Sequence, residues 1–515
     1  MDQVRQQELL VKDRQYVWHP FTQMKDYEQR DHVLIERAEG IFLYDANGNR
    51  YYDTVSSWWC NVHGHGNPRI KAAIAEQLNA FDHIMFSGLT HAPGIELAEK
   101  LVHITPAGLT KVFYSDNGST AVEVALKMSF QYWQQTGRPT KTKFVFLDGS
   151  YHGDTLGAVS VGGIGLYHAL FKPLLFQGHR VSAPDLRRAN RKGDEGGEGR
   201  DSSAGVRAWP EGDEGRDSSA RALTWPEGDE GRDSSARALT WPEGGEGEAS
   251  SARVRALFER EVAEAALAEV RALFEREAES IAGIVVEPML QGAGGMIMTP
   301  AAYLVGLREL CTQYDVHLIA DEVATGFGRT GTMFACEHAG ISPDIMCLSK
   351  GLTAGVMPLA ATLCRESIYA AFYDDYATQK TFFHGHSFTG NPVACAVALA
   401  SLRLFEEERT LEQAQATIHA LREAVRGIAE LPHVADARQL GLVAAFDLYE
   451  DVEQRRPFPP ERRIGAAIYE AGFAEGLILR PLGDTIYYWL PLCATPDDVR
   501  DIAARTTRVL SRLLG

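Results

Sequence analysis

Two apolar rhythms alternate along most of this chain. From about Trp18 to Pro184, short apolar runs such as Lys111-Val112-Phe113-Tyr114 and Lys143-Phe144-Val145-Phe146-Leu147 are separated by stretches with helical spacing, notably Ala121 to Trp133. Short strands that alternate with amphipathic helices predict an α/β fold, with a parallel sheet flanked by helices. The rhythm returns after Ser280, in Ile281-Ala282-Gly283-Ile284-Val285-Val286-Glu287-Pro288 and Val316-His317-Leu318-Ile319-Ala320. Such near-continuous apolar runs predict strands buried on both faces. Two long helical patterns follow from about Ala394. A smaller mixed segment with Leu477-Ile478-Leu479-Arg480 and Ile486-Tyr487-Tyr488-Trp489-Leu490 closes the chain and reads as a second domain.

The rhythm breaks between about Asp185 and Ser250, where Gly, Asp, Glu, Arg and Ser dominate. The segment from Gly212 to Glu227 recurs unchanged from Gly228 to Glu243, after a degenerate copy, and carries Trp209, Trp225 and Trp241 at one spacing. This unit is shorter than those of known solenoids and too polar to bury a face, so a disordered insertion that loops outward is expected. The same spacing continues in Val254-Arg255-Ala256-Leu257-Phe258 and Val270-Arg271-Ala272-Leu273-Phe274, where apolar residues at helical intervals predict a charged amphipathic helix.

At 515 residues the chain exceeds one ordinary core, so at least two domains are expected. A formal net charge of −18 argues against a nucleic-acid surface, which needs a concentrated basic face. The seven cysteines are scattered, odd in number and without a C-x-x-C pair, as for free thiols in a reducing compartment. Met1-Asp2-Gln3 opens the chain where a secretory leader needs an apolar run, and no stretch approaches the ~20 apolar residues of a spanning helix. The expected location is cytoplasmic, with no membrane contact.

Four segments carry candidate chemistry. Asp321 and Glu322 close a predicted strand just before the glycine-rich Gly326-Phe327-Gly328-Arg329-Thr330-Gly331. In an open α/β sheet that edge binds ligands, and a buried carboxylate there either holds a cationic ring nitrogen or caps a helix. Lys350 directly follows the apolar Cys347-Leu348 and precedes a glycine-bounded turn. A lysine so close to a core either snorkels to solvent or is kept neutral and reactive by desolvation, as a Schiff-base lysine is. Ser115-Asp116-Asn117-Gly118-Ser119-Thr120 stands before the helix near Ala121, where small residues either cap it or leave N–H groups for a phosphate. Tyr151, in Gly149-Ser150-Tyr151-His152-Gly153-Asp154, either stacks on a flat ring or faces the core. His63, His65, His384 and His386 lie in two His-Gly-His runs with no carboxylate or cysteine set to complete a metal site, and turn geometry is the expected explanation.

Together, Asp321 with Gly326-Phe327-Gly328-Arg329 and Ser349-Lys350-Gly351 resemble the class III aminotransferases of fold type I, which depend on pyridoxal 5'-phosphate. Trp18-His19-Pro20-Phe21-Thr22, Ser56-Ser57-Trp58-Trp59, Gly149 to Thr155 and His384-Gly385-His386-Ser387-Phe388 are similar to the branch that aminates 8-amino-7-oxononanoate in biotin synthesis. The resemblance covers nearly everything outside about Asp185 to Glu279. It implies a large domain with a mainly parallel sheet flanked by helices, plus a smaller α+β domain. The chain then divides into an N-terminal segment of the small domain (1–65), a first part of the large domain (66–184), the insertion (185–250), a second part of the large domain preceded by the charged helix (251–390), and linking helices with the C-terminal small domain (391–515).

It also implies roles. Lys350 holds the cofactor as a Schiff base and shuttles a proton. Asp321 pairs with the pyridine nitrogen, Gly118 and Ser119 hold the phosphate, and Tyr151 covers the ring and meets substrate. His386 and Ser387 reach the phosphate from the partner subunit, so a homodimer with its site at the interface is expected. Phe21, Trp58, Gly385 and Arg480 form the substrate pocket, the Arg480 guanidinium clamping a carboxylate. Members that take their amino group from S-adenosylmethionine often carry tyrosine where Phe21 stands, whereas phenylalanine occurs in members similar to lysine-using synthases, so the donor stays open between the two.

Overall fold

The computed structural model describes residues 1–187 and 246–515. The repeat between Gly212 and Glu243, and with it most of the expected insertion, lies outside the described residues. Helix begins at Glu246, inside the stretch expected to be disordered, where Glu and Ala, both good helix formers, replace the Gly-Asp-Ser texture.

A seven-stranded sheet forms the centre. Its strands are β1 (Leu109–Ser115), β2 (Lys143–Leu147), β3 (His179–Val181), β4 (Ile281–Val286), β5 (His317–Asp321), β6 (Ile345–Leu348) and β7 (Ala360–Arg365), in the order β1-β7-β6-β5-β4-β2-β3. The run from β3 to β6 is parallel, and β7 lies antiparallel to both neighbours. The chain reverses from β6 into β7 through residues 349–359, which carry Lys350 and hold no helix long enough for a parallel crossover.

Period-two alternation divides the sheet's side chains between two layers. Ile284, Val286 and Leu318 pack on one face with Leu267, Val270 and Phe274 of α2 (Glu246–Glu277) and Leu304 and Leu307 of α3 (Ala301–Gln313). Val285, Ile319 and Ile345 pack on the other with Ala121, Val122 and Ala125 of α1 (Gly118–Gln135). Parallel register sets Asp321 opposite Cys347, so Asp321 and Lys350 emerge at the same edge.

Helices α4 (Pro392–Glu407) and α5 (Thr410–Ala429) lead to a smaller antiparallel sheet of β8 (Val434–Leu440), β9 (Val443–Leu448) and β10 (Thr485–Trp489). Helix α6 (Pro496–Leu514) closes the chain and packs on α5. The N-terminal segment joins this part: the Tyr52 N–H donates to the Gly476 carbonyl at 2.9 Å, and the Trp489 N–H to the Thr54 carbonyl at 2.7 Å. Among the described residues no helix is long and apolar enough to cross a membrane.

The predicted charged helix exists, but its two similar apolar triplets have different fates. Phe274 is 1% exposed, whereas Leu257 is 61% exposed. Phe274→Ala is therefore expected to cost about 3–5 kcal/mol of unfolding free energy and Leu257→Ala no more than about 0.5, read from urea unfolding.

Candidate active site

The carboxyl ends of β1, β2, β4, β5 and β6 meet around one cavity of about 940 Å³, where the open-sheet rule places a ligand. Phe21, Trp58, Gly118, Ser119, Tyr151, Asp321, Lys350 and Arg480 all line it, although they come from across the chain. Gly385, His386 and Ser387 do not. In the single chain His386 Nδ1 lies 2.8 Å from the carboxylate of Asp116, which is itself at the cavity wall, and the Ser387 carbonyl lies 2.8 Å from His83 Nε2.

Burial pushes the Lys350 ammonium below its ordinary value, against the opposing charges of Asp321 and Glu287. Its backbone takes the left-handed φ of +44°, and its Nζ lies 5.2 Å from the ring centre of Trp59. A strained position of this kind persists only where the surroundings enforce it. Asp321 is buried, and its carboxylate lies 2.7 Å from His152 Nδ1 while accepting the Val323 N–H at 3.1 Å. It therefore makes a local cap as well as facing the cavity.

The start of α1 is built for close approach. The Asn117 side chain accepts the Thr120 N–H, leaving the N–H groups of Gly118 and Ser119 uncapped at the cavity wall. Ser119 Oγ accepts the Thr155 N–H at 3.0 Å, which pins the next loop beside it. A Cβ on Gly153, at φ +119°, would fall 2.4 Å from Ser119, so only glycine fits there.

On the opposite wall the Arg480 guanidinium lies 4.2 Å over the Trp58 ring, and Phe21 meets Trp58 edge-on at 5.6 Å. Among the described residues no carboxylate pairs with Arg480. Trp58 sits in a left-handed turn in which Ser56, Ser57, Trp58 and Trp59 all have positive φ, between +45° and +73°. Each such residue costs about 1–2 kcal/mol.

Two residues at the centre had readable signals that the sequence analysis left unused. His152 stands beside Tyr151 in a motif already singled out, and its buried Nε2 has no hydrogen-bond partner among the described residues. Glu287 directly follows β4, much as Asp321 ends β5, and its carboxyl accepts the Tyr151 and Gly292 N–H groups, each at 3.0 Å. The His-Gly-His residues owe their places to distant partners more than to turns: His63 Nε2 reaches Ser401 at 3.1 Å, His65 reaches Asp53 at 3.0 Å, and His384 meets Lys127 at 3.0 Å. Local sequence carries no trace of such contacts.

Burial raises the Glu287 carboxyl from 4.5 to about 7, with His152 opposing and Asp321 adding. Its folded value lies above its unfolded one, so its stabilising contribution is complete below about pH 4.5 and lost as pH rises through 7. The stability advantage of the wild type over Glu287→Ala, from urea unfolding of the cofactor-free protein, should shrink by up to about 3 kcal/mol between pH 4.5 and pH 8. An advantage independent of pH would contradict this assignment.

The family model for class III aminotransferases matches residues 24–204 and 248–510. The adenosylmethionine-8-amino-7-oxononanoate aminotransferase of Geobacter sulfurreducens is 44% identical over 487 residues, 95% of this chain and 94% of that one. The crystal structure of the enzyme of that name from Methanocaldococcus jannaschii superposes with a TM-score of 0.81 at 35% identity, covering 98% of this chain and 99% of the other. The omega transaminase of Pseudomonas jessenii, solved in complex with PMP, superposes with a TM-score of 0.81 at 30% identity, covering 98% and 97%. The fold, the cavity at the strand ends and these likenesses lead to one conclusion: this chain belongs to the class III aminotransferases.

Proposed function

We propose that this chain holds pyridoxal 5'-phosphate and transfers an amino group from S-adenosylmethionine to 8-amino-7-oxononanoate, giving 7,8-diaminononanoate in biotin synthesis. The observation that carries this reading is the Arg480 guanidinium, without a carboxylate partner among the described residues and set over Trp58 in the same cavity as Lys350 and Asp321. A long acceptor with a terminal carboxylate suits a pocket with an apolar wall and a cation at one end. The names of the relatives in G. sulfurreducens and M. jannaschii support the same substrates.

The residues fit the cofactor. Lys350, whose proton affinity burial lowers, would supply the amine that holds its aldehyde and would move a proton as base and acid. Asp321, oriented by His152 at 2.7 Å, presents a carboxylate to the ring nitrogen. The uncapped N–H groups of Gly118 and Ser119 bind the phosphate. Tyr151, held by its bond to Asp154 at 2.7 Å and by Glu287 through its backbone, would cover the ring. When bound, the group supplies an electron sink for the carbon that loses its proton. Phe21 and Trp58 wall the alkyl chain, and Arg480 clamps the carboxylate.

We assign the active unit as a homodimer in which Gly385, His386 and Ser387 complete the neighbouring subunit's site. Phe383 and Phe388, which flank them, are exposed in the single chain and suit burial at such an interface. A cytoplasmic site of action suits the seven unpaired thiols.

Offered S-adenosylmethionine or lysine separately, the purified holoenzyme should change its visible cofactor spectrum with the first and not with the second. A response to lysine alone reassigns the donor, and a response only to a simple ω-amino acid overturns the proposed function. Arg480→Leu should raise the KM for the acceptor about 100-fold, the loss of a paired charge-assisted contact.

A further inference from the structure

The left-handed turn that carries Trp58 is secured at both ends, by different means. At its far end Trp59 is buried, stacks on Trp489 at 4.8 Å and donates its Nε1–H to the Tyr487 hydroxyl at 3.1 Å. At its near end Ser56 Oγ donates to the Trp489 carbonyl at 2.5 Å. Between these anchors Ser57 and Trp58 are exposed, and both have the positive φ that side chains disfavour. Two side chains grip Ser57: the Cys60 thiol, a weak donor, meets its carbonyl at 3.0 Å, and Asp53 holds its other polar groups. Asp53, itself buried, accepts the Ser57 N–H at 2.9 Å on one oxygen and the Ser57 hydroxyl at 2.7 Å on the other. His65 Nε2 meets the second oxygen at 3.0 Å and fixes the carboxylate's rotation.

We infer that Asp53 is a positioning residue for substrate selection: it latches the strained turn so that Trp58 stays under the Arg480 guanidinium, fixing the end of the pocket that receives the acceptor's carboxylate. The inference rests on the proposed role of Trp58 and Arg480. Released from Asp53, Ser57 keeps only the weak contact of the Cys60 thiol with its carbonyl among the described side chains, and the turn relaxes toward conformations that swing Trp58 away. Trp59 and Lys350 keep their places, because Tyr487 and Trp489 hold Trp59 independently. The consequence is separable: acceptor binding depends on the latch and cofactor attachment does not.

The test compares holoenzymes carrying Asp53→Ala, Trp58→Ala and both changes. Asp53→Ala should raise the KM for 8-amino-7-oxononanoate about tenfold, the effect of losing hydrogen bonds to a charged group, while kcat and the visible cofactor band stay within about twofold of wild type. The double variant should have a KM no higher than that of Trp58→Ala, because both changes act through one ring. A multiplied effect overturns the inference, as does an unchanged KM in Asp53→Ala beside a raised one in Trp58→Ala. An unchanged KM in Trp58→Ala removes the parent reading instead, and the latch with it. Should Asp53→Ala not fold, Ser57→Ala deletes only an exposed hydroxyl: a KM rise of about threefold supports the latch, and none overturns it.

Discussion

Everything at this site follows from putting an amine and a carboxylate into one low-dielectric wall. Asp321 and Glu287 raise the proton affinity of Lys350, and burial lowers it by more, so the net shift is downward. Uncompensated, buried charges of this kind destabilise a fold, and proteins keep them where chemistry requires them. Here the sheet supplies the compensation. Parallel register brings Asp321 and Lys350 to one edge, and loops rich in small residues bring N–H groups and His152 to meet them.

The surroundings divide the work between rigid and strained parts. A strand buried on both faces holds Asp321, and two more end just before Glu287 and Lys350, so their packing fixes where all three emerge. Trp58, proposed to wall the acceptor, sits instead on a turn that side chains would not choose alone, whose ends are fixed by bonds to more distant elements. Arg329 shows the same economy: fully buried, it donates to the Leu490 and Asn61 carbonyls and lies 5.3 Å from the Trp489 ring, joining the segment after the turn to the strand that supports it. Burial pushes its guanidinium down to about 9, a further sign that this region tolerates electrostatic cost for geometry.

Much of this was legible in the sequence because it is local. Strand runs from Leu109 to Leu348, the helix opened by Asn117, and the acid and the lysine at strand ends all leave patterns within a few residues. The partnerships are not local. Nothing near His152 announces Asp321, and nothing near Trp59 announces Tyr487 or Trp489. Glu287 carried the same strand-end signal as Asp321, with Gly292-Ala293-Gly294-Gly295 after it, and differed in having no second acid beside it. The charged helix shows the reverse limit: its two apolar triplets are nearly identical in sequence, yet only Val270, Leu273 and Phe274 meet the sheet, because burial depends on where the helix crosses it.

The central claim is that the buried amine of Lys350 is the point of covalent attachment. Treating the native holoenzyme with borohydride and digesting it should yield one cofactor-labelled peptide, the one bearing Lys350. Label on any other lysine, or none, would contradict the account.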